Sequence, residues 1–310
     1  MHVFFPLPNT GASVYNTITL YRDSQFFPGE LMMGTMATCS FERCSRKAWK
    51  PVAGEQPFCI FHSQKVDEKR DEFEKAWNEF LRDTRDSEGK LFNLSCRGFI
   101  IPINVNFSSE QFSGHTYFNF TSFTGHTYFN DAKFTGHIYF NSALFSGKTY
   151  FTNTTFPGKI YFNNAVFFGE TSFKNAHFLW DAYFNSTQFK GETSFSDAEF
   201  SGETLFESTT FFQNVDFEHV VFSKSAHFSK TVFREEGFFT GSHFLGVDMS
   251  NSLFINCSFK NVRKNTHYNL KPIRWEKPEV GWQVWKYRKR SKPIPPTNFA
   301  NIDTRGILAA

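Results

Sequence analysis

The chain has no run near the ~20 consecutive apolar residues that a bilayer-spanning helix needs. Its first residues carry neither a basic leader nor a long apolar stretch, so a secretory signal is not expected. Cysteine is scarce: Cys39, Cys44, Cys59, Cys96 and Cys257 are an odd number, and three of them lie close to His62. That usage argues against a disulfide framework and for a reducing compartment, so the expectation is a cytoplasmic protein without membrane contact. There is no phosphate-cradling glycine loop, no paired nucleophile and base, and no metal-ligand set with an open position. The chain is therefore expected not to be an enzyme. Aliphatic residues are sparse as well.

Phenylalanine takes their place, with 44 copies in 310 residues. From Phe107 to Phe259 it recurs after alternating steps of five and six residues: Phe107, Phe112, Phe118, Phe123, Phe129, Phe134, Phe140, Phe145, Phe151, Phe156 and onward. A short fixed period carrying one large apolar residue per step marks a solenoid whose turns bury their faces on one another. The formal charge of +3 conceals an uneven distribution. Residues 1–106 hold 13 basic and 13 acidic side chains; residues 107–259 hold 8 and 14, and residues 260–310 hold 12 and 3. The repeat tract is thus acidic and the end of the chain basic.

A small or β-branched residue stands two positions before each Phe, as in Thr116, Thr121, Thr127, Ala132, Ile138 and Ala143. In extended backbone, positions two apart share a face, so both point inward. The longer step carries glycine at 114, 125, 136, 147, 158, 169, 191 and 202, expected to absorb the sixth residue as a bulge or positive-φ corner. Trp180 replaces that glycine once. Units such as Thr-Ser-Phe-Thr-Gly (121–125) and Ala-Lys-Phe-Thr-Gly (132–136) resemble the pentapeptide-repeat family. The resemblance implies an all-β solenoid, a right-handed quadrilateral parallel β-helix with four units per coil. The regular sixth residue departs from the family pattern and sets about 22 residues per coil. Stacking at ~4.8 Å then predicts about seven coils, on the order of 33 Å of rod. Phe118, Phe140, Phe162, Phe184, Phe206 and Phe228 should form one internal stack. The steps shorten to five near Phe244, Met249, Phe254 and Phe259, which predicts a tighter last coil.

Outward positions are the candidates for function. The slot after the glycine runs His115, His126, His137, Lys148, Lys159, Glu170, Asp181, Glu192, Glu203. His115 with His137, or Asp181 with Glu203, would suit a cation. The plainer reading is a solvent-facing slot with Lys159–Asp181 and Lys148–Glu170 as ion pairs between coils. Tyr117, Tyr139, Tyr161 and Tyr183 form an outward ladder, and Tyr128 with Tyr150 a second. They are the candidate partner surface, against the alternative that they stabilise the sheet by stacking.

Cys39, Cys44, Cys59 and His62 are spaced as two ligand pairs flanking a loop, which suits a closed, structural Zn2+ site in a segment too short to build its own core. Residues 65–86 read as an amphipathic helix with Phe73, Trp77, Phe80 and Leu81 on one stripe. The helix should cap the first coil and protect an exposed sheet edge. The domain reading is a disordered or mis-assigned start at 1–35, a Cys/His module at 36–64, a capping helix at 65–90 and the β-helix at 91–260. At 261–310 it places a basic, aromatic cap (Trp275, Trp282, Trp285 and Tyr287 among Lys and Arg) and a proline-containing tail.

Together these features favour a non-enzymatic protein-binding or scaffold module, with a partner of unspecified identity and homodimerisation possible. The alternative is nucleic-acid association through the zinc module and basic tail. The third is a DNA-mimicking modulator of a type II topoisomerase, an activity that some members of the resembled family have.

Overall fold

The computed structural model describes residues 38–52, 54–259 and 261–262 in full, and the backbone of strands His2–Val3, Ile18–Thr19, Arg263–Asn269, Arg274–Lys277 and Gln283–Trp285. The chain divides into two units, Met1–Met36 and Ala37–Ala310. In the first, His2–Val3 pairs antiparallel with Ile18–Thr19. The other residues of the anticipated 1–35 start, and residues 286–310 of the tail, lie outside the described residues.

The second unit is a parallel β-solenoid of about eight turns. Its strands are mostly two residues long and fall on four faces, which the chain visits in order: Gln111–Ser113, Thr116–Tyr117, Ser122–Phe123, Thr127–Tyr128, then Lys133–Phe134 back on the first face. Each strand pairs in parallel with the one a coil later, as in Ile138↔Ile160 and Tyr139↔Tyr161, a register of 160 − 138 = 22 residues. The regular Phe series understates the length, because Leu91–Phe92, Ile100–Ile101 and Val105–Asn106 already stand in the sheets. Past Phe259 two sheets run on, Arg263–Asn269 pairing with His243–Asp248 and Arg274–Lys277 with Leu253–Ile255. The late coil tightens to 257 − 237 = 20 residues, where Gly237 pairs with Cys257.

Four columns of Phe fill the interior. Along a column, rings one coil apart stack with centroids 4.3–5.7 Å apart, as at Phe178–Phe200 and Phe134–Phe156. Neighbouring columns meet edge-on, as at Phe184–Phe195 (5.6 Å, 88°). Phe118, Phe140, Phe162, Phe184, Phe206 and Phe228 form one column, each fully buried. A buried Phe contributes ~2–3 kcal/mol of transfer free energy, so the columns dominate stability. The small residue two before each Phe is buried too, and where it is Thr its hydroxyl can reach a carbonyl one coil back, as Thr154 Oγ1 does to Phe129 O (2.6 Å).

The corners differ from the expectation built on glycine. The positive-φ residue lies in the five-residue step, at Ser109, Phe120, Asp131, Ser142, Asn153 and every eleventh residue to Lys230, with φ of 56–59°. It is the third residue of a tight turn such as Phe118–Thr121, closed by Thr121 N–H donating to Phe118 O (3.1 Å). Asn, Asp and Ser dominate the position because their short polar side chains tolerate left-handed backbone. Of the glycines in the longer step, only Gly114 has positive φ. The others are required by close approach. A Cβ on Gly136, Gly147, Gly158, Gly169 or Gly191 would fall 2.3–2.7 Å from the carbonyl oxygen of the glycine one coil below.

The helix Val66–Asp83 closes the first coil. Asp67 and Glu68 in its first turn complement the helix dipole, and Thr84 Oγ1 donates to Phe80 O (2.7 Å) at its end. Phe73 and Trp77 are buried, with Phe80 and Leu81 partly so. Trp77 lies 6.1 Å from Phe107, at the foot of one Phe column, and Phe80 lies 5.4 Å from Phe99.

Candidate metal centre and outward faces

Two backbone turns bring the Cys/His ligands together. Cys39 and Cys44 sit on a hairpin-like loop held by the Thr38↔Lys47 bridge and by Cys39 N–H to Arg46 O (3.0 Å). Cys59 and His62 share a turn in which His62 N–H donates to Cys59 O (3.0 Å). His62 Nδ1 lies 3.4 Å from Cys39 Sγ and 3.2 Å from Cys59 Sγ, and Cys44 Sγ lies 3.9 Å from Cys59 Sγ. All four ligand atoms fall within 4.8 Å of one another. A tetrahedral ion with ~2.3 Å sulfur and ~2.0 Å nitrogen bonds would space its ligands by about 3.6–3.8 Å. The group therefore fits a single metal ion.

The surroundings prepare that fit. His62 Nε2 lies 3.1 Å from Arg97 O; donation there fixes the tautomer and leaves Nδ1 free to ligate. Phe41 stacks on the imidazole at 3.9 Å and 8°. The same ring occupies the space over Gly98, where a Cβ would lie 2.1 Å from it. Burial, ahead of the nearby cations Arg46 and Lys69, pushes His62 down to about 4, so the imidazole is neutral at ordinary pH, as ligation requires. Burial first, then the charges of Cys39 and Cys44, pushes the Cys59 thiol up to about 12. A cation at the centre would reverse that preference. At Cys44, burial raises the pKa, but hydrogen bonds from Arg46, Cys39 and Cys59 together outweigh it and the net shift is downward.

Lys69 lies on the inner stripe of the helix and is fully buried. Its Nζ donates to Ile60 O (2.9 Å), Ser63 O (2.6 Å) and Ile100 O (2.8 Å), tying the Cys/His module to a strand of the first coil. Burial draws the ammonium down to about 7, against the opposing charge of Cys59. Sequence reasoning passed over Lys69 and Arg97. The signal for Lys69 was its place in line with Phe73 and Trp77. Arg97 contributes only a carbonyl and leaves no residue-type signal.

The slot after the glycine caps the next coil. His115 Nδ1 accepts from His137 N–H and His137 Nδ1 from Lys159 N–H, both at 3.0 Å. Asn93, Asn104 and Asp181 accept from His115, His126 and Glu203 in the same way. The His115 and His137 rings stack at 5.0 Å and 7°, so their nitrogens do not converge on a shared ion. Asp181 uses one carboxylate oxygen on Glu203 N–H and the other on Lys159 Nζ (2.9 Å). Lys148–Glu170 is the matching pair, also at 2.9 Å.

A family model for pentapeptide repeats (9 copies) matches residues 129–177, 151–199, 173–221 and 184–232. Those residues, 129–232, belong to the pentapeptide-repeat family. Among solved structures, the chain is similar to HetL, a pentapeptide repeat protein involved in heterocyst differentiation regulation from the cyanobacterium Nostoc sp.. That likeness has 9% identity and a TM-score of 0.25, and spans 66% of this chain and 95% of HetL. A comparison with curated proteins finds no match.

On this pentapeptide-repeat solenoid, Tyr117, Tyr139, Tyr161 and Tyr183 stand one above another on the second face. Their centroids are 4.8–5.1 Å apart and their planes within 5° of parallel. Tyr128 and Tyr150 repeat the arrangement on the fourth face at 5.7 Å. All six are half-buried. Stacking consumes the ring faces, so the ladder presents ring edges and hydroxyls. Above Tyr183 the column continues in Leu205 and His227. The described residues contain no helix long and apolar enough to cross a membrane.

Proposed function

We propose that this pentapeptide-repeat protein is a non-enzymatic, cytoplasmic scaffold that binds a protein partner on its tyrosine-bearing faces, with a structural zinc ion in the amino-terminal module. The observation that carries the reading is the Tyr117–Tyr183 ladder, four half-exposed rings in register on a rigid face. Such a comb offers large contact area at little cost in side-chain entropy, which favours protein recognition. Three thiolates and one imidazole suit zinc above harder cations, and four protein ligands complete its tetrahedron. Zinc there would act as a cross-link.

The test is affinity capture of the full chain from native lysate, with and without nuclease, beside a variant carrying Tyr139→Ser and Tyr161→Ser. The same proteins, retained after nuclease and lost with the variant, would support the scaffold. One observation favours nucleic acid as a second reading. Arg46, Lys47, Trp49 and Lys50 line an open hollow of about 510 Å3 on the Cys/His module, and this basic surface with an aromatic ring has the composition that suits nucleic acid. Recovery that collapses with nuclease, and binding that falls steeply with salt, would favour that reading.

A further inference from the structure

The third face of the solenoid is dressed differently from the others. In its strands the residues directly before and directly after each buried Phe point outward, because positions two apart share a side. The column before the Phe runs Leu144, Val166, Gln188, Thr210, Val232 and Leu253, held in line one coil apart by the parallel register. Its four aliphatic residues are half-buried. The matching column of the first face is polar, with Lys133, Thr155, His177 and Glu199 in successive coils. On the third face the column after the Phe carries Phe168, Lys190, Phe212 and Arg234, again in successive coils. Lys190 Nζ lies 3.5 Å from the centre of the Phe212 ring, and Arg234 Cζ lies 4.7 Å from the same centre.

These two cations lack a counter-ion. Lys148 and Lys159, at the glycine corners, pair with Glu170 and Asp181. Lys190 and Arg234 pair with no carboxylate among the described residues, and neither outward column of the third face contains one. Glu207 and Glu235 stand in the turns that flank the face, outside both columns. One ring therefore serves two positive groups, a partial compensation only. Burial, then the charge of Arg234, lowers the pKa of Lys190, so like charge is held near like charge with no anion to relieve it. An aliphatic strip with uncompensated cations along its border is complementary to a surface that is apolar and acidic.

We infer that the third face docks an acidic amphipathic helix of another protein, laid along the rod, with Val166 and Val232 in its apolar seat and its carboxylates on Lys190 and Arg234. The spacing suits a helix. Leu144 and Val232 lie four coils apart, about 19 Å at ~4.8 Å per coil. A helical pitch of about 5.4 Å nearly matches the coil spacing, so roughly 13 residues would set one apolar side chain against each coil. A second copy fits less well, because a two-fold contact would bring Lys190 and Arg234 against the same cations. The inference goes beyond the scaffold reading, since the tyrosine rows occupy the second and fourth faces and this site makes no use of them.

The test uses the full chain and a 14-residue helical peptide of Leu and Glu, with a Leu and Lys counterpart as control, followed by calorimetry and by the methyl signals of Val166 and Val232. One variant, Lys190→Gln with Arg234→Gln, removes the cations. A second, Val166→Gln with Val232→Thr, removes the apolar seat and installs the residues that the register partners Gln188 and Thr210 already hold, so the sheet accepts them. The expected result is saturable binding of the Leu–Glu peptide that shifts both methyl signals and is at least tenfold weaker in each variant. The inference is overturned if either variant binds as tightly as the parent, if the Leu–Lys peptide binds as well, or if no binding occurs. It is also overturned if the methyl signals move with protein concentration alone, which would make the occupant a second copy, or if a short oligothymidylate displaces the peptide, which would make it nucleic acid. Loss of peptide binding in the Tyr139→Ser, Tyr161→Ser variant would overturn it in favour of the tyrosine faces. The expected peptide binding, with lysate capture indifferent to that variant, would keep the third face and remove the tyrosine reading.

Discussion

At the scale of the residue, one buried slot holds threonines in two different situations. Thr154 Oγ1 donates to Phe129 O, whereas Thr149 Oγ1 is buried without a partner. Thr154→Val should cost about 1 kcal/mol, and Thr149→Val should be neutral or stabilising by a similar amount, because a lone buried hydroxyl is a liability. Denaturant midpoints of the two variants check this. Lys69 is the opposite extreme, a buried cation whose three donors all have acceptors. Lys69→Met would leave three carbonyls short of a donor and should cost about 3 kcal/mol or more, read as loosening of the Cys/His module in hydrogen exchange.

Among the elements, the first coils depend on histidine side chains as acceptors. His137 Nδ1 can receive Lys159 N–H only while the ring is neutral at that nitrogen, and burial, followed by the charges of His115 and Lys159, lowers its pKa. A lowered folded-state value means that this contribution is whole above the unfolded value of about 6.5 and is lost as pH falls below it. The melting temperature should therefore drop between pH 7 and pH 5, and His137→Asn, an acceptor that does not titrate, should drop less. The sheets themselves were legible in the sequence because one Phe per step at a fixed period has few structural solutions, and the helix because Phe73, Trp77 and Phe80 share its stripe. The corner geometry was not. Glycine advertises positive φ, but here it answers close approach between coils, a relation between residues 22 apart that no local pattern displays. The convergence of Cys39, Cys44, Cys59 and His62 was legible from their spacing. The carbonyl of Arg97 that orients His62 was not, since backbone acceptors carry no residue identity.

The whole second unit behaves as a stack with a fastened end. Trp77 covers the foot of the Phe column that starts at Phe107, and the Cys/His module braces the helix through Lys69 and the contact of His62 with Arg97. The purified protein should contain one zinc per chain, measured by elemental analysis, and Cys39→Ser should lose it. Chelation should then open the module and the helix to protease before the solenoid yields, because each coil draws its stability from its neighbours and only the end is exposed. Trp77→Ala should cost about 3–5 kcal/mol and promote aggregation through the uncovered first coil, seen as high-mass species in light scattering.

The repeating register has a consequence for how such a chain changes over generations. A coil touches only the coil before and the coil after, and every column is filled by the same kind of residue, so an in-frame duplication of one coil enters without disturbing the rest. Trp180 occurs in one coil only, at a fixed count from the Cys/His module. Duplications below it would move the two apart in equal increments. The rod is thus a ruler that recombination can lengthen one graduation at a time.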